Sequence, residues 1–177
     1  MRKINLIIVI LLLNQCSMIE HQNIKVLKTV EYVDIPKFMG DWFVIANMPT
    51  FIEKNAINSI ESYKLNKDGY IETTFSFREK TQLGKLKKYY FKGSIYNKET
   101  NAEWRMHFFG LFKMPFLIID LDKQYQYTVI GYPNRKYLWI MSRNPEMDSI
   151  LYNSIIDQLS KKGFDISKIN KVTQIWD

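Results

Sequence analysis

A single cysteine, Cys16, and two histidines, His21 and His107, are all this chain offers to thiol and imidazole chemistry. One cysteine cannot close an intrachain disulfide. A metal or haem centre calls for several imidazoles, thiolates or clustered carboxylates, so no metal or cofactor is expected. Seven glycines and five prolines scattered over 177 residues exclude collagenous and low-complexity chains. No apolar run reaches the ~20 residues of a membrane-spanning helix, and no repeat of solenoid period is present. Basic residues exceed acidic ones to give a net charge of +7, but they are dispersed, the densest group being Lys85, Lys87 and Lys88. Without a basic patch or a recognised module, a nucleic-acid partner is not expected.

Aromatic and apolar side chains are plentiful, at 15% and 46%. That is enough for one domain with a substantial core. Arg2 and Lys3 precede the apolar run Ile4 to Leu13, the pattern of a signal peptide. Residues 1–15 are therefore set aside as a lipoprotein-type signal, which lowers the net charge to +5. Residues 16–33 are polar and mixed and read as a tether, leaving 34–177 as the folded domain.

A short helical turn is expected at Asp34–Met39 with Asp34 as its N-cap. Period-2 alternation then recurs in eight runs separated by turn signals. They fall at about 41–48, 58–65, 70–78, 86–96, 104–108, 116–121, 125–132 and 136–142. Such a pattern predicts an all-β, eight-stranded antiparallel up-and-down barrel. One long helix follows at about 146–162, with Met147, Ile150, Leu151, Ile155, Ile156 and Leu159 on one stripe and Gly163 as its C-cap. It is expected to pack outside the barrel over Phe43, Ile45, Leu138 and Ile140.

Strand parity assigns the interior. Val44 and Ala46 of the first strand, Tyr63 of the second, and Thr73, Phe75 and Phe77 of the third point inward, as do Trp104 and Met106 of the fifth. Tyr127 joins them from the seventh strand, and Tyr137, Trp139 and Met141 from the eighth. An eight-stranded barrel can be filled by such side chains or can hold one small ligand, and the residues alone leave both open. Glu61 also points inward beside Tyr63, where an unpaired carboxylate is costly. Two readings fit it: a wet position near the rim, or recognition of a cationic head group such as an amine. Up-and-down connectivity returns Arg143 to the end where Trp42 begins, so the guanidinium can stack on the indole and bond the N-terminal turn.

Gly40-Asp41-Trp42, Asp122-Lys123-Gln124-Tyr125 and Arg143 together resemble the signature of the lipocalins. Tyr137 to Arg143, His107-Phe108-Phe109-Gly110 and Gly163-Phe164-Asp165 sharpen this to the bacterial outer-membrane lipoprotein lipocalins, relatives of apolipoprotein D. The resemblance spans about residues 34–170. It implies a calyx binding fatty acids, lysophospholipids, palmitate-like chains or similar amphiphiles, with Gly40, Trp42 and Arg143 structural. Cys16 resembles the acylation site of such lipoproteins, and Gln15 departs from the small residue usual before it. Acyl chains on Cys16 would hold the protein at the periplasmic face of an outer membrane. Relatives usually carry a small residue where Glu61 stands. A homodimer is left open.

The mouth loops are expected at about 49–57, 79–85, 110–115 and 133–136. Leu111 and Phe112 in the third, with Arg78, Lys80, Lys85, Arg135 and Lys136 nearby, suggest docking on an anionic membrane; a lid over the mouth fits the same residues. No nucleophile, base and orienting group come together, so an enzyme is not expected. The alternatives kept beside a carrier are a lipid-modifying catalyst on such a barrel and a structural envelope protein whose barrel is filled.

Overall fold

The computed structural model describes residues 26–108 and 112–176. Cys16, His21, the expected signal segment, Gly110 and Leu111 lie outside them. A four-residue helix, α1 (Ile35–Phe38), is capped by Asp34, whose side chain accepts from the Lys37 amide. Then come β1 (Gly40–Met48), β2 (Ala56–Leu65), β3 (Tyr70–Glu79), β4 (Leu86–Ile95), β5 (Glu103–Phe108), β6 (Phe112–Leu121), β7 (Tyr127–Gly131) and β8 (Leu138–Ser142). Neighbours in sequence pair antiparallel, and β1 pairs with both β8 and β2, which closes the barrel. Closure leaves no free edge for other chains to pair with.

The helix α2 (Ser149–Lys161) packs outside, as its stripe requires. Asp148 caps it by accepting from the amides of Ile150 and Leu151. Gly163, at φ +84°, ends it. Its amide bonds to the Ser160 carbonyl, and the Phe164 amide reaches back to Leu159, a left-handed cap that suits glycine. Ile155 and Leu159 sit on Ala46, Met48, Leu117, Ile119, Val129, Leu138 and Ile140. Two of the four residues expected beneath the helix are there. Phe43 instead meets Trp176 edge-on at 5.4 Å, and neither Phe43 nor Ile45 belongs to the helix cluster.

The C-terminal tail, not the helix, covers Phe43, and two inward placements are also corrected. The β1–β8 register shifts between Val44 and Ala46, so parity reverses within β1. Ala46, expected inside, lies outside under α2 with Met48, while Asn47 turns inward to donate to Glu53. A second shift falls between Ile118 and Asp120 on β6 where it meets β7. Tyr127, also expected inside, packs with the outer cluster, because the unbroken register of β7 with β8 sets it opposite Ser142, on the face shared with Leu138 and Ile140. A third bulge, between Ile57 and Ile60, accommodates Asn58 at φ +50°.

The segments flanking the barrel among the described residues are fastened to it in ways the alternation does not disclose. A two-residue strand, β9 (Asn170–Lys171), pairs with the second half of β1, where β1 has already parted from β2. Beyond it Asn58 and Ile175 exchange hydrogen bonds, and Gln174 donates to Val44 and Ser59. The tail thus fills the wedge between β1 and β2. At the other end, the stretch expected to be a tether as far as residue 33 is packed from Leu27 onward. Leu27 and Val33 are buried, and the amides of Val30 and Val33 bond to Ile118 and Thr100.

Candidate functional site

The interior has two halves with different contents. At the closed end Phe38 of α1 enters a group of rings, with centroids 5.1 Å from Trp42, 5.3 Å from Trp104 and 5.6 Å from Tyr63. Trp104 stacks on Phe116 at 5.1 Å. Trp42 and Trp104 are fully buried, and Val44 and Met141 complete the same cluster. These residues form a plug: the filled-barrel arrangement holds for this half.

Arg143 seals it from below. Its guanidinium lies 3.7 Å over the Trp42 ring, and it donates to the carbonyls of Lys37, Phe38, Met39 and Asp41 at 2.7–3.1 Å. The indole N–H of Trp42 donates to Phe38 at 2.9 Å. A helix leaves its last carbonyls without partners inside it, and here one arginine collects them. Gly40, at φ +95°, runs so close that a Cβ would stand 3.4 Å from the guanidinium. The Gly40, Trp42 and Arg143 arrangement is as expected, and Tyr125 joins it by accepting from the Asp34 amide.

Above the plug lies a cavity of about 370 Å³, toward the lower part of the ~300–1,000 Å³ typical of small-molecule pockets. Of the residues placed on the lining by parity, Glu61, Thr73, Phe75, Met106, Tyr137 and Trp139 line it. Val44, Tyr63, Trp104 and Met141 belong to the plug, with Phe77 against Phe75 at 5.2 Å. The remaining wall comes from Phe91, Met114 and Phe116, and from Thr50, Phe51, Ile52 and Glu53 of the β1–β2 loop, with Phe112 at the edge.

Glu53 is the lining residue that the alternation gives no means of finding, because it lies on a loop. Although buried, its carboxylate receives three donors: the Thr50 amide at 2.7 Å, Asn47 Nδ2 at 3.1 Å and Trp139 Nε1 at 2.6 Å. Those bonds fold the loop over the mouth and join it to the cavity wall. The choice between docking and lid for the third mouth loop turns on Gly110 and Leu111, which lie outside the described residues. The β5–β6 segment is strand from Phe112 onward, not loop through Pro115.

Glu61 is set deep. Its backbone pairs with Trp42 on one side and Phe75 on the other, so a wet rim position is excluded. It lines the cavity and is half-buried. Desolvation pushes its pKa up from 4.5 to about 7; the Tyr63 hydroxyl, which donates to it, opposes this, and the charge of Glu53 adds to it. Burial and the neighbouring carboxylate likewise raise the Tyr63 phenol. His107 faces outward, as expected, with Nε2 3.2 Å from the Ser94 hydroxyl.

Around the mouth, Phe51 and Leu83 are almost fully exposed, at 87% and 95%, and Phe112 is 65% exposed. A shallower groove outside the barrel, between the end of α2 and the β7–β8 turn, carries Lys28, Arg135, Lys136, Lys161, Lys162 and Lys168.

A family model described as a lipocalin-like domain matches residues 33–174. Temperature-induced lipocalin-1 of Arabidopsis thaliana is 30% identical over 161 residues, covering 85% of this chain and 84% of the relative. The outer membrane lipoprotein Blc of Vibrio cholerae is 26% identical over 98% of this chain and 99% of its own length. Among solved structures, insecticyanin from the tobacco hornworm Manduca sexta superposes with a TM-score of 0.66 at 21% identity, covering 82% of this chain and 83% of that one.

Proposed function

The chain belongs to the lipocalin family, and from that premise we propose that it binds one amphipathic lipid at a time, a fatty acid or lysophospholipid, and stores or carries it at the cell envelope. The observation that carries this reading is the apolar cavity of about 370 Å³ above a closed aromatic plug. Its walls are mainly Phe75, Phe91, Met106, Met114, Phe116 and Trp139. An alkyl chain seated there gains ~0.8 kcal/mol per buried CH₂. Acylation of Cys16 would keep the protein on the outer membrane, facing the periplasm. The likeness to a Vibrio cholerae protein named as an outer membrane lipoprotein supports that location. The exposed Phe51, Leu83 and Phe112 would rest on the bilayer, with nearby basic residues drawn to anionic lipid.

Two measurements test the reading. Mass spectrometry of organic extracts of the purified protein should show co-purifying lipid in a fixed stoichiometry. Titration with lysophospholipid should quench Trp139, on the cavity wall, while Trp42 and Trp104 stay shielded in the plug. Absence of both co-purifying lipid and quenching by any amphiphile would favour a structural protein, and return of a chemically altered lysophospholipid would favour an enzyme.

A further inference from the structure

We propose that the floor of the cavity is a polar subsite, formed by Glu61, Tyr63 and Thr73, that receives the ammonium end of a long-chain amine. The inference rests on the cavity reading above, keeps its single alkyl chain and replaces the anionic or zwitterionic head group by an ammonium.

Two carboxylates and no basic side chain line the cavity among the described residues. They are not equivalent. Glu53 at the mouth is engaged by Asn47, Thr50 and Trp139. Glu61 receives one hydrogen bond among the described residues, from the Tyr63 hydroxyl. An ionised carboxylate has sites for about four donors, so most of its accepting capacity faces the cavity. Thr73 stands opposite Tyr63 on the adjacent strand and lines the same wall. Its hydroxyl is buried, and it is the one buried side-chain polar atom without a hydrogen-bond partner among the described residues. Orphaned buried hydroxyls are rare because each costs ~1–3 kcal/mol.

A carboxylate short of donors beside a free hydroxyl, at the inner end of an apolar tube, matches a particular ligand. A primary ammonium supplies three donors and the opposite charge, and its alkyl chain lies along Phe75, Phe91 and Met106. A fatty carboxylate would set charge against charge if it entered head first. Tail first, it would press a methyl group on the same polar floor. The groups that face Glu61 are Tyr63 on its own strand and Glu53 from the β1–β2 loop; Arg143, beyond β8, acts on Tyr63 from outside the plug. With a pKa of about 7, Glu61 would bind an amine more strongly as pH rises through that value and a carboxylate more strongly as pH falls through it.

The test titrates the full-length protein with dodecylamine, dodecanol and dodecanoate, reading Trp139 quenching at about pH 6 and about pH 8. At the higher pH dodecylamine should bind at least about ten-fold tighter than dodecanoate, and the gap should narrow at the lower pH. Glu61→Gln should remove both the preference and its pH dependence while dodecanol binding stays within about two-fold. Thr73→Val should weaken the amine by a larger factor than it changes dodecanoate. Equal binding of amine and carboxylate at both pH values, with Glu61→Gln indistinguishable from the parent, would overturn the polar subsite and leave the cavity reading intact. No binding of any of the three would overturn both. Should Glu61→Gln fail to fold, the opposite slopes of the amine and carboxylate pH profiles in the parent protein decide alone.

Discussion

Replacing Arg143 by alanine should cost the protein about 3–5 kcal/mol while leaving ligand binding nearly unchanged. The guanidinium stacks on Trp42 at 3.7 Å, worth ~1–2 kcal/mol when partly desolvated. It also donates to four carbonyls at the end of α1 and the start of β1. A hydrogen bond to a charged group contributes ~1.5–3 kcal/mol, but four sharing one half-buried cation do not add independently. The loss therefore falls well below a simple sum, close to the stacking plus one charged hydrogen bond, ~3–5 kcal/mol. Arg143→Lys should recover less than half, because an ammonium cannot stack as a plane and fan out to several carbonyls at once. Trp42→Ala removes the other partner and a fully buried ring, a truncation of ~3–5 kcal/mol. In the double variant the two losses should fall short of additive by about 1 kcal/mol or more. Urea unfolding followed by tryptophan fluorescence measures all of these, with an unchanged slope required for the comparison. A loss below ~1 kcal/mol for Arg143→Ala, or full rescue by lysine, would refute the sealing role. A stable Trp42→Ala protein that had lost its ligand would show that the closed end is the binding end.

Three other outcomes follow from the same structure. Glu61 titrates higher folded than its ordinary 4.5, so the folded state holds its proton more tightly. The penalty for ionising it is absent below about 4.5, grows as pH rises toward 7, and is complete above that. Glu61→Gln should therefore gain relative stability with rising pH, up to about 3 kcal/mol by linkage; a pH-independent difference between the two unfolding curves would exclude a desolvated carboxyl. Leu159→Ala, under α2, should lose about 2–4 kcal/mol in the same urea assay with no change in Trp139 quenching, since the outer cluster is separate from the cavity; a shift in ligand affinity would couple the two. Phe51, Leu83 and Phe112 changed together to serine should weaken sedimentation with anionic vesicles without lowering the unfolding midpoint; vesicle binding equal to the parent would remove the docking of the mouth.

The closed end was legible in the sequence because its chemistry is local and unusual. Gly40, Trp42 and Arg143 are residue types with few uses, and strand parity alone brings them together. Ala46 was not legible, because a bulge adds one residue to a strand without interrupting its apolar pattern and every later position changes face; Tyr127 was misplaced because its face is set by its register with β8, where it stands opposite Ser142. Pro115 concealed the first half of β6. Proline favours strand edges, and β6 is paired only with β5 at that position, since β7 joins it from Leu117. Glu53 was hidden for a different reason: alternation carries no information about a loop that folds inward, and only Asn47 and Trp139, once turned to face it, reveal its place.

Glu61 ties these halves together, because it stands where the plug ends and the cavity begins. A sequence selected for stability alone would place an apolar or small side chain there, since burying a carboxyl with one donor opposes folding. Tyr63 supplies that donor while its ring belongs to the plug, so the rigid half of the barrel holds the carboxyl in a fixed direction. Trp42, Trp104, Phe116 and Arg143 make that half stable enough to carry the cost. On the other side, the lid loop is fastened through Glu53 to Trp139, a side chain on the cavity wall. Under the proposed amine reading, the Glu61 that meets the head group and the Trp139 that holds Glu53 line one cavity, so a single ligand would contact both.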